Sequence, residues 1–222
     1  EAYPYIFDPT TTLQPGSEGF DALIRSNAPD ENAGAVTINI GDDHETELRA
    51  LRGLVKWDVS SIPASSTVTA VTLSLREGGA GDNAGVGSWA ADLQRLQAGR
   101  DWVEAETTWN IYKTANSWTT AGAASTTSDI LAAVSATVTL DGTAALAFID
   151  WIGATLTADV QGFVDGSYTN NGWRLAAPSA ENKVASVYNW FNSSDDATAS
   201  YRPKLVVTYT VPVTFIPWVM VI

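Results

Sequence analysis

Hydrophobic and polar residues alternate along residues 51–75, and this stretch is the strongest structural signal in the chain. Apolar side chains and one glycine occupy the odd positions of residues 51–59, while Arg52 and Lys56 occupy even positions. The alternation resumes at residues 71–75, after the turn-like residues 60–63. Since a period of two is typical of half-buried antiparallel strands, the pattern predicts strand, turn and strand.

Further strands are predicted wherever short apolar-polar alternation is bounded by Gly, Asn, Asp or Pro. These segments are residues 36–40, 89–96, 134–140, 172–176, 184–191 and 204–211. Many short strands with such punctuation indicate an all-β fold, a single jelly-roll-like β-sandwich. We expect one domain over residues 10–211, with an N-terminal arm at residues 1–9 and an apolar tail at residues 212–222.

One short helix is predicted at residues 156–166. Leu156, Val160, Phe163 and Val164 recur at helical spacing, and Gly166 is suited to cap the C-terminus. We expect it to cross one end of the sandwich. The Gly- and Ala-rich residues 78–87 and the Thr-, Ala- and Ser-rich residues 115–129 are predicted to be loops.

Charge and composition narrow the range of partners. The 222 residues carry 12 Lys and Arg against 25 Asp and Glu, a formal net charge of −13. An acidic surface argues against binding to nucleic acid or to an anionic membrane. The chain has no cysteine, which excludes disulfides and thiolate metal sites, and no apolar run reaches the ~20 residues that a membrane span needs.

An ordered set of segments carries a further signal: Gly53–Pro63, Val68–Leu75, Asp101–Glu104, Thr108–Asn110, Asp159–Phe163, Asn171–Leu175 and Tyr201–Tyr209. Together they resemble the DNRLRE domain family, which is related to a carbohydrate-binding module class associated with alginate and other extracellular polysaccharides. The resemblance implies a jelly-roll-like sandwich and a non-catalytic module, in an extracellular location or on a virion surface. Members of the family also occur in phage structural proteins.

Aromatic residues are the first candidates for a carbohydrate site, because sugar rings stack on exposed aromatic faces. Trp118 and Tyr112 lie in loop-like sequence and are our candidates for carbohydrate binding. Trp57, Trp109 and Trp173 fall in strand-like motifs, where core packing is the expected role.

Metal binding and catalysis have weaker support. Asp30, Asn32, Asp42 and Asp43 offer oxygen ligands for a structural Ca²⁺, and solvated turn residues are the alternative interpretation. No other cofactor is expected.

Glu104 and Glu106 would share a face if they lay on a strand, at a separation that suits a hydrolytic carboxylate pair. Nothing else in the sequence supports hydrolysis. The single histidine, His44, excludes a multi-histidine site. We therefore expect no enzymatic activity.

Apolar residues at both ends of the sequence are candidates for docking on another subunit. They are Tyr5, Phe7, Phe215, Trp218, Met220 and Ile222. The alternative is that the tail packs on its own domain as a last strand. Two functions follow: a structural subunit of an extracellular assembly, such as a phage particle or a surface filament, or a polysaccharide-binding or adhesion module.

Overall fold

The computed structural model describes residues 8–14, 16, 20–34, 37–43, 47–80, 87–141, 143 and 145–212. Within these residues the chain forms thirteen β-strands, one α-helix and two short 3₁₀ turns. In chain order the elements are β1 Thr10–Leu13, β2 Phe20–Arg25, β3 Thr37–Asp42, β4 Leu51–Lys56, β5 Thr67–Ala80, β6 Trp89–Arg95, β7 Ile111–Lys113, β8 Asn116–Ser117, β9 Ala136–Leu140, β10 Phe148–Ile152, α1 Ala154–Val164, β11 Trp173–Ala176, the 3₁₀ turn Pro178–Ala180, β12 Val187–Asn192, the 3₁₀ turn Ala199–Tyr201 and β13 Lys204–Thr210.

Eleven of these strands form a single antiparallel sheet that curls into a sandwich. One layer contains β1, β13, β5 and β10, and the other contains β12, β3, β4, β11, β6 and β9, with β2 along β4. The long strand β5 joins the layers, because Leu73 pairs with Leu205 and Trp151 whereas Gly79 pairs with Trp190 of β12. The predicted all-β sandwich with one short helix is confirmed.

The strand prediction at residues 51–75 is confirmed. The side chains at the odd positions, which the sequence marks as apolar, face the interior. Leu51, Val55 and Trp57 are buried, and Val55 and Trp57 belong to the main core between the layers. Leu73 and Leu75 of β5 meet them in that core. The predicted helix is also confirmed as α1, which buries its apolar stripe and is followed by Gly166 at a φ of 78°.

The other face of β4 is not solvated, contrary to the expectation of a half-buried strand. Leu54 is fully buried in a second hydrophobic cluster with Ala22 and Ile24 of β2. The remaining members come from the chain between β6 and β9: Leu96, Trp102, Tyr112, Trp118, Ala123 and Ile130, with Trp109 packed against them. Residues 97–131 therefore form a folded cap on the outer face of this layer.

The loop predicted at residues 78–87 is wrong for its first three residues, because β5 continues to Ala80. The ring of Trp190 lies over Gly78 and Gly79, where a Cβ atom would overlap it. The glycines therefore make room for an aromatic ring within the sheet. Residues 81–86 are outside the described part of the chain.

Candidate functional site

A groove opens where β2 begins and β4 ends. One depression of about 280 Å³ is lined by Thr12, Leu13, Gln14, Phe20, Trp57 and Asp58. A second, of about 240 Å³, shares Phe20, Trp57 and Asp58 and adds Lys56 and Asn170. We call the two together the Phe20 groove.

Strand register brings Phe20 and Lys56 together at the groove. Phe20 pairs with Lys56 across β2 and β4, which places both side chains on the outer face of the layer. The Lys56 ammonium lies 4.9 Å from the centroid of the Phe20 ring and 5.2 Å from that of Trp102. Burial lowers the pKa of Lys56, and the charges of Asp101 and Glu104 partly oppose this. The cation helps to fix the orientation of a ring that is 39% exposed.

Trp57 lines both depressions and has an unusual hydrogen-bonding state. Its ring packs against Trp173 in the core, with centroids 6.5 Å apart. Its indole nitrogen is buried and has no acceptor among the described residues. An unpaired buried N–H group costs about 1–3 kcal/mol.

Most of the other buried indole groups have an acceptor. The pairs are Trp102 with the Asn171 carbonyl, Trp118 with the Thr108 carbonyl, Trp151 with the Ala91 carbonyl and Trp173 with the Asp159 carboxylate. Trp89 is unpaired like Trp57, but it does not line the groove. Trp57 therefore lines the groove, while its indole nitrogen is itself shielded from solvent.

Asp58 and Asn170 complete the groove wall in different ways. Asp58 is exposed and its Oδ1 accepts the backbone N–H of Ser60 at 2.8 Å, which lowers the pKa of the carboxyl. The Asn170 amide donates to the Trp57 carbonyl at 2.7 Å and accepts the Gly172 N–H at 3.2 Å. Asn170 thus fixes the end of β4, while Asp58 is an ionised acceptor that faces solvent.

A cluster of carboxyl groups lies beside the groove. Asp21 is buried, and its Oδ2 accepts the Ser194 N–H at 2.7 Å. Burial raises the pKa of Asp21 to about 6, and the charge of Asp195 adds to this. Burial, together with the charges of Asp21 and Asp195, raises the pKa of Glu104 to about 7.

The geometry assumed for a pair of Glu104 and Glu106 is wrong, because residues 104–106 form a turn and not a strand. Glu106 instead accepts the Thr114 N–H at 2.7 Å, and this hydrogen bond lowers the pKa of its carboxyl. The spacing argument for a hydrolytic pair therefore does not apply.

Trp118 and Tyr112 are not exposed as the sequence led us to expect. They expose 4% and 9% of their surface, and their rings pack 5.3 Å apart inside the cap. The loop-like composition of this region misled the prediction, because the cap is ordered by long-range contacts. In this structure neither residue presents a ring face to a ligand. Trp57 and Trp173 are core residues as predicted, and Trp109 is partly buried under the Arg52 guanidinium, 4.8 Å from its centroid.

The candidate calcium ligands form two groups with different partners. Asp30 accepts the amide of Asn110 at 2.8 Å, and Asn32 donates to the carbonyls of Glu104 and Thr107.

Asp42 accepts the backbone N–H groups of Arg49 and Lys183, and Asp43 forms an ion pair with Arg49 at 2.8 Å. Among the described residues, no three His, Cys, Asp or Glu side chains are grouped so that they could hold a metal. The same contacts hold loops to the sandwich.

The docking candidates at the chain ends, Tyr5, Phe7, Phe215, Trp218, Met220 and Ile222, lie outside the described residues, as does His44. Searching the described residues for a helix long and apolar enough to cross a bilayer finds none.

Sequence reasoning missed Phe20, Lys56 and Asp58 as a group. The signal that could have found them is the apolar residue at every second position, Phe20, Ala22 and Ile24, which indicates that β2 is a strand with a covered outer face. Comparison with known proteins finds no family model that matches the chain and no curated protein that matches it.

Proposed function

We propose that the chain is a non-catalytic structural subunit of an extracellular assembly, such as a phage virion or a surface filament. Its two apolar terminal segments would hold it to neighbouring subunits. The observation that carries this proposal is the position of the described chain ends. The Tyr209 N–H donates to the Pro9 carbonyl at 3.1 Å, and Thr10 pairs with Thr208.

Because β1 and β13 are antiparallel neighbours, residues 1–7 and 213–222 are connected to the sandwich at the same end of these two strands. The first segment contains Tyr5 and Phe7, and the second contains nine apolar residues and one threonine. Two apolar segments attached side by side can contribute to one contact surface. Large exposed apolar patches on proteins favour association.

The edge of the sheet supports the same proposal. β1 is the last strand of its layer, with β13 as its partner among the described residues. Edge strands present unpaired backbone groups that can accept a strand from another chain. A neighbouring subunit could therefore add a strand next to β1.

Light scattering on full-length protein and on a variant lacking residues 213–222 tests the proposal. We expect an oligomer for the full chain and a smaller mass, with an unchanged unfolding midpoint, for the truncated one. Val184→Ser is the matched control, because it removes an apolar side chain that is 86% exposed elsewhere on the surface. The proposal would be contradicted if the chain with residues 213–222 were monomeric and their removal changed neither the oligomeric state nor the stability.

The second candidate function is a polysaccharide-binding or adhesion module. It is supported by the resemblance to the DNRLRE family and by the exposed aromatic ring in the Phe20 groove. A glycan array probed with wild-type protein and with Phe20→Ala tests it. Binding that is lost in the variant would support this function, and an array without any bound glycan would count against it.

A further inference from the structure

We propose that the Phe20 groove binds one pyranose unit of a neutral oligosaccharide. The sugar ring would stack on Phe20, and its hydroxyl groups would bond to Asp58 and Lys56. This inference rests on the polysaccharide-binding function and is independent of assembly through the chain ends.

Phe20 supplies the stacking surface. Lys56 lies over the ring at 4.9 Å, yet 39% of the residue remains exposed. The ring is therefore held by a cation and still offers surface to a ligand. A pyranose has an apolar C–H face that packs on such a surface by hydrophobic contact.

Trp57 and Asp58 lie beside the ring and have different roles. Trp57 lines both depressions, but its indole nitrogen is buried, so its N–H group reports on a bound ligand and does not bond to it. Asp58 is held as a carboxylate by the Ser60 N–H and would accept a hydrogen bond from a sugar hydroxyl.

The size of the groove fits a single sugar ring. Its depressions of about 280 and 240 Å³ are each slightly smaller than the usual sites of drug-sized ligands, about 300–1,000 Å³. Neighbouring units of the oligosaccharide would remain outside the groove, in solvent or on its rim.

Charge selects a neutral ligand over an acidic one. The chain carries a formal net charge of −13, and Asp58 lies in the groove itself. The ammonium of Lys56 already interacts with the charges of Asp101 and Glu104. A polymer of uronic acids would therefore approach a surface of its own charge.

The test is an NMR titration that follows the indole N–H signals with cellohexaose, maltohexaose and mannohexaose in turn, and with an oligoguluronate as the acidic comparison. We expect at least one of the neutral oligosaccharides to shift the Trp57 signal, which the Trp57→Phe variant assigns. Phe20→Ala should weaken the fitted dissociation constant by about tenfold or more, and Asp58→Asn should weaken it as well. Unchanged indole signals elsewhere verify that each variant is folded.

Tyr201→Ala is the matched control. Tyr201 is 37% exposed and has the Arg76 guanidinium over its ring at 3.7 Å, so it matches Phe20 in exposure and in its contact with a cation, but it does not line the groove. Its removal should leave affinity unchanged. The inference is overturned if millimolar neutral oligosaccharides leave the Trp57 signal in place, if binding ignores Phe20→Ala, or if only an oligoguluronate binds.

These outcomes are separable from failure of the underlying function. If a glycan binds the protein but does not shift the Trp57 signal, the polysaccharide-binding function is supported and the Phe20 groove is rejected as its site. An empty glycan array together with no titration response would reject both.

Discussion

Arg100 and Asp129 form an ion pair within the cap and join its two ends, with Arg100 Nε 2.8 Å from Asp129 Oδ1 and the Asp129 side chain fully buried. The same carboxylate accepts the backbone N–H groups of Thr119, Thr120 and Ser125. Burial alone would raise the pKa of Asp129, but these donors outweigh it and hold the pKa below its usual value. One side chain thus organises three separate backbone positions of the cap.

Replacing Asp129 should therefore destabilise the cap strongly. In Asp129→Asn an amide N–H₂ group would oppose backbone donors, and Arg100 would lose its counter-charge. We expect the free energy of unfolding to fall by about 3 kcal/mol, as for other broken buried pairs, measured by urea denaturation.

The control for Asp129 is an exposed ion pair. Arg25 and Glu31 are 2.9 Å apart with 34% and 69% of their side chains exposed. Glu31→Gln should cost about 1 kcal/mol or less. Equal losses in the two variants would show that the Asp129 contacts do not organise the cap.

The cap also explains why sequence reasoning succeeded in one part of the chain and failed in another. β4 and β5 were predictable, because alternation is a local signal that burial between two layers enforces. Residues 115–129 carry no such periodicity, since their order comes from a buried carboxylate and from Trp118 packing on Tyr112. Contacts of this kind depend on the fold and leave no local pattern.

The groove shows the same limit. Phe20 and Lys56 are 36 positions apart in the chain, and only the β2–β4 register makes them neighbours. Trp57 was correctly predicted as a core residue, but its unpaired N–H could not be foreseen without the positions of its neighbours. The sequence thus predicts the scaffold better than the surface that the scaffold creates.

Asp21 should make stability depend on pH. Its pKa is raised from 3.8 to about 6, mainly by burial, and that of Glu104 from 4.5 to about 7. A carboxyl whose pKa is higher in the folded chain than in the unfolded chain binds its proton more tightly after folding. It stabilises the fold fully when the pH is below its unfolded-state pKa, and this contribution is lost as the pH rises through its folded-state pKa. We therefore expect these groups to lower the free energy of unfolding between pH 4 and 7, by at most ~3 kcal/mol for Asp21.

Urea denaturation across this range, for wild type and Asp21→Asn, measures the effect. The free energy of unfolding of Asp21→Asn should exceed that of wild type by an amount that grows with pH, because an amide cannot ionise. Asp165→Asn is the control, since hydrogen bonds from Ser167 lower the pKa of that exposed carboxyl and place its titration below the range. Parallel curves for wild type and Asp21→Asn would refute the prediction.

Trp118 should contribute to stability as a core residue. Trp118→Ala would leave a cavity beside Tyr112 and remove the hydrogen bond to the Thr108 carbonyl. We expect a loss of about 3–5 kcal/mol by urea denaturation. Trp118→Phe keeps a ring against Tyr112 and should lose less. If both variants were as stable as wild type, the cap would not depend on this indole.

Gly41 in β3 should not tolerate a side chain. Its φ is 105°, and a Cβ atom there would overlap the carbonyl oxygen of Val187 in the paired strand β12. Backbone strain and the clash add, so Gly41→Ala should lower the free energy of unfolding by about 3 kcal/mol or more. Gly34→Ala separates the two causes, because Gly34 has a φ of 60° and no atom of the described residues comes within 4 Å of its Cβ position. That variant should lose only about 1 kcal/mol, the cost of the left-handed backbone alone. An equally small loss in Gly41→Ala would mean that β3 and β12 can separate locally without weakening the sheet.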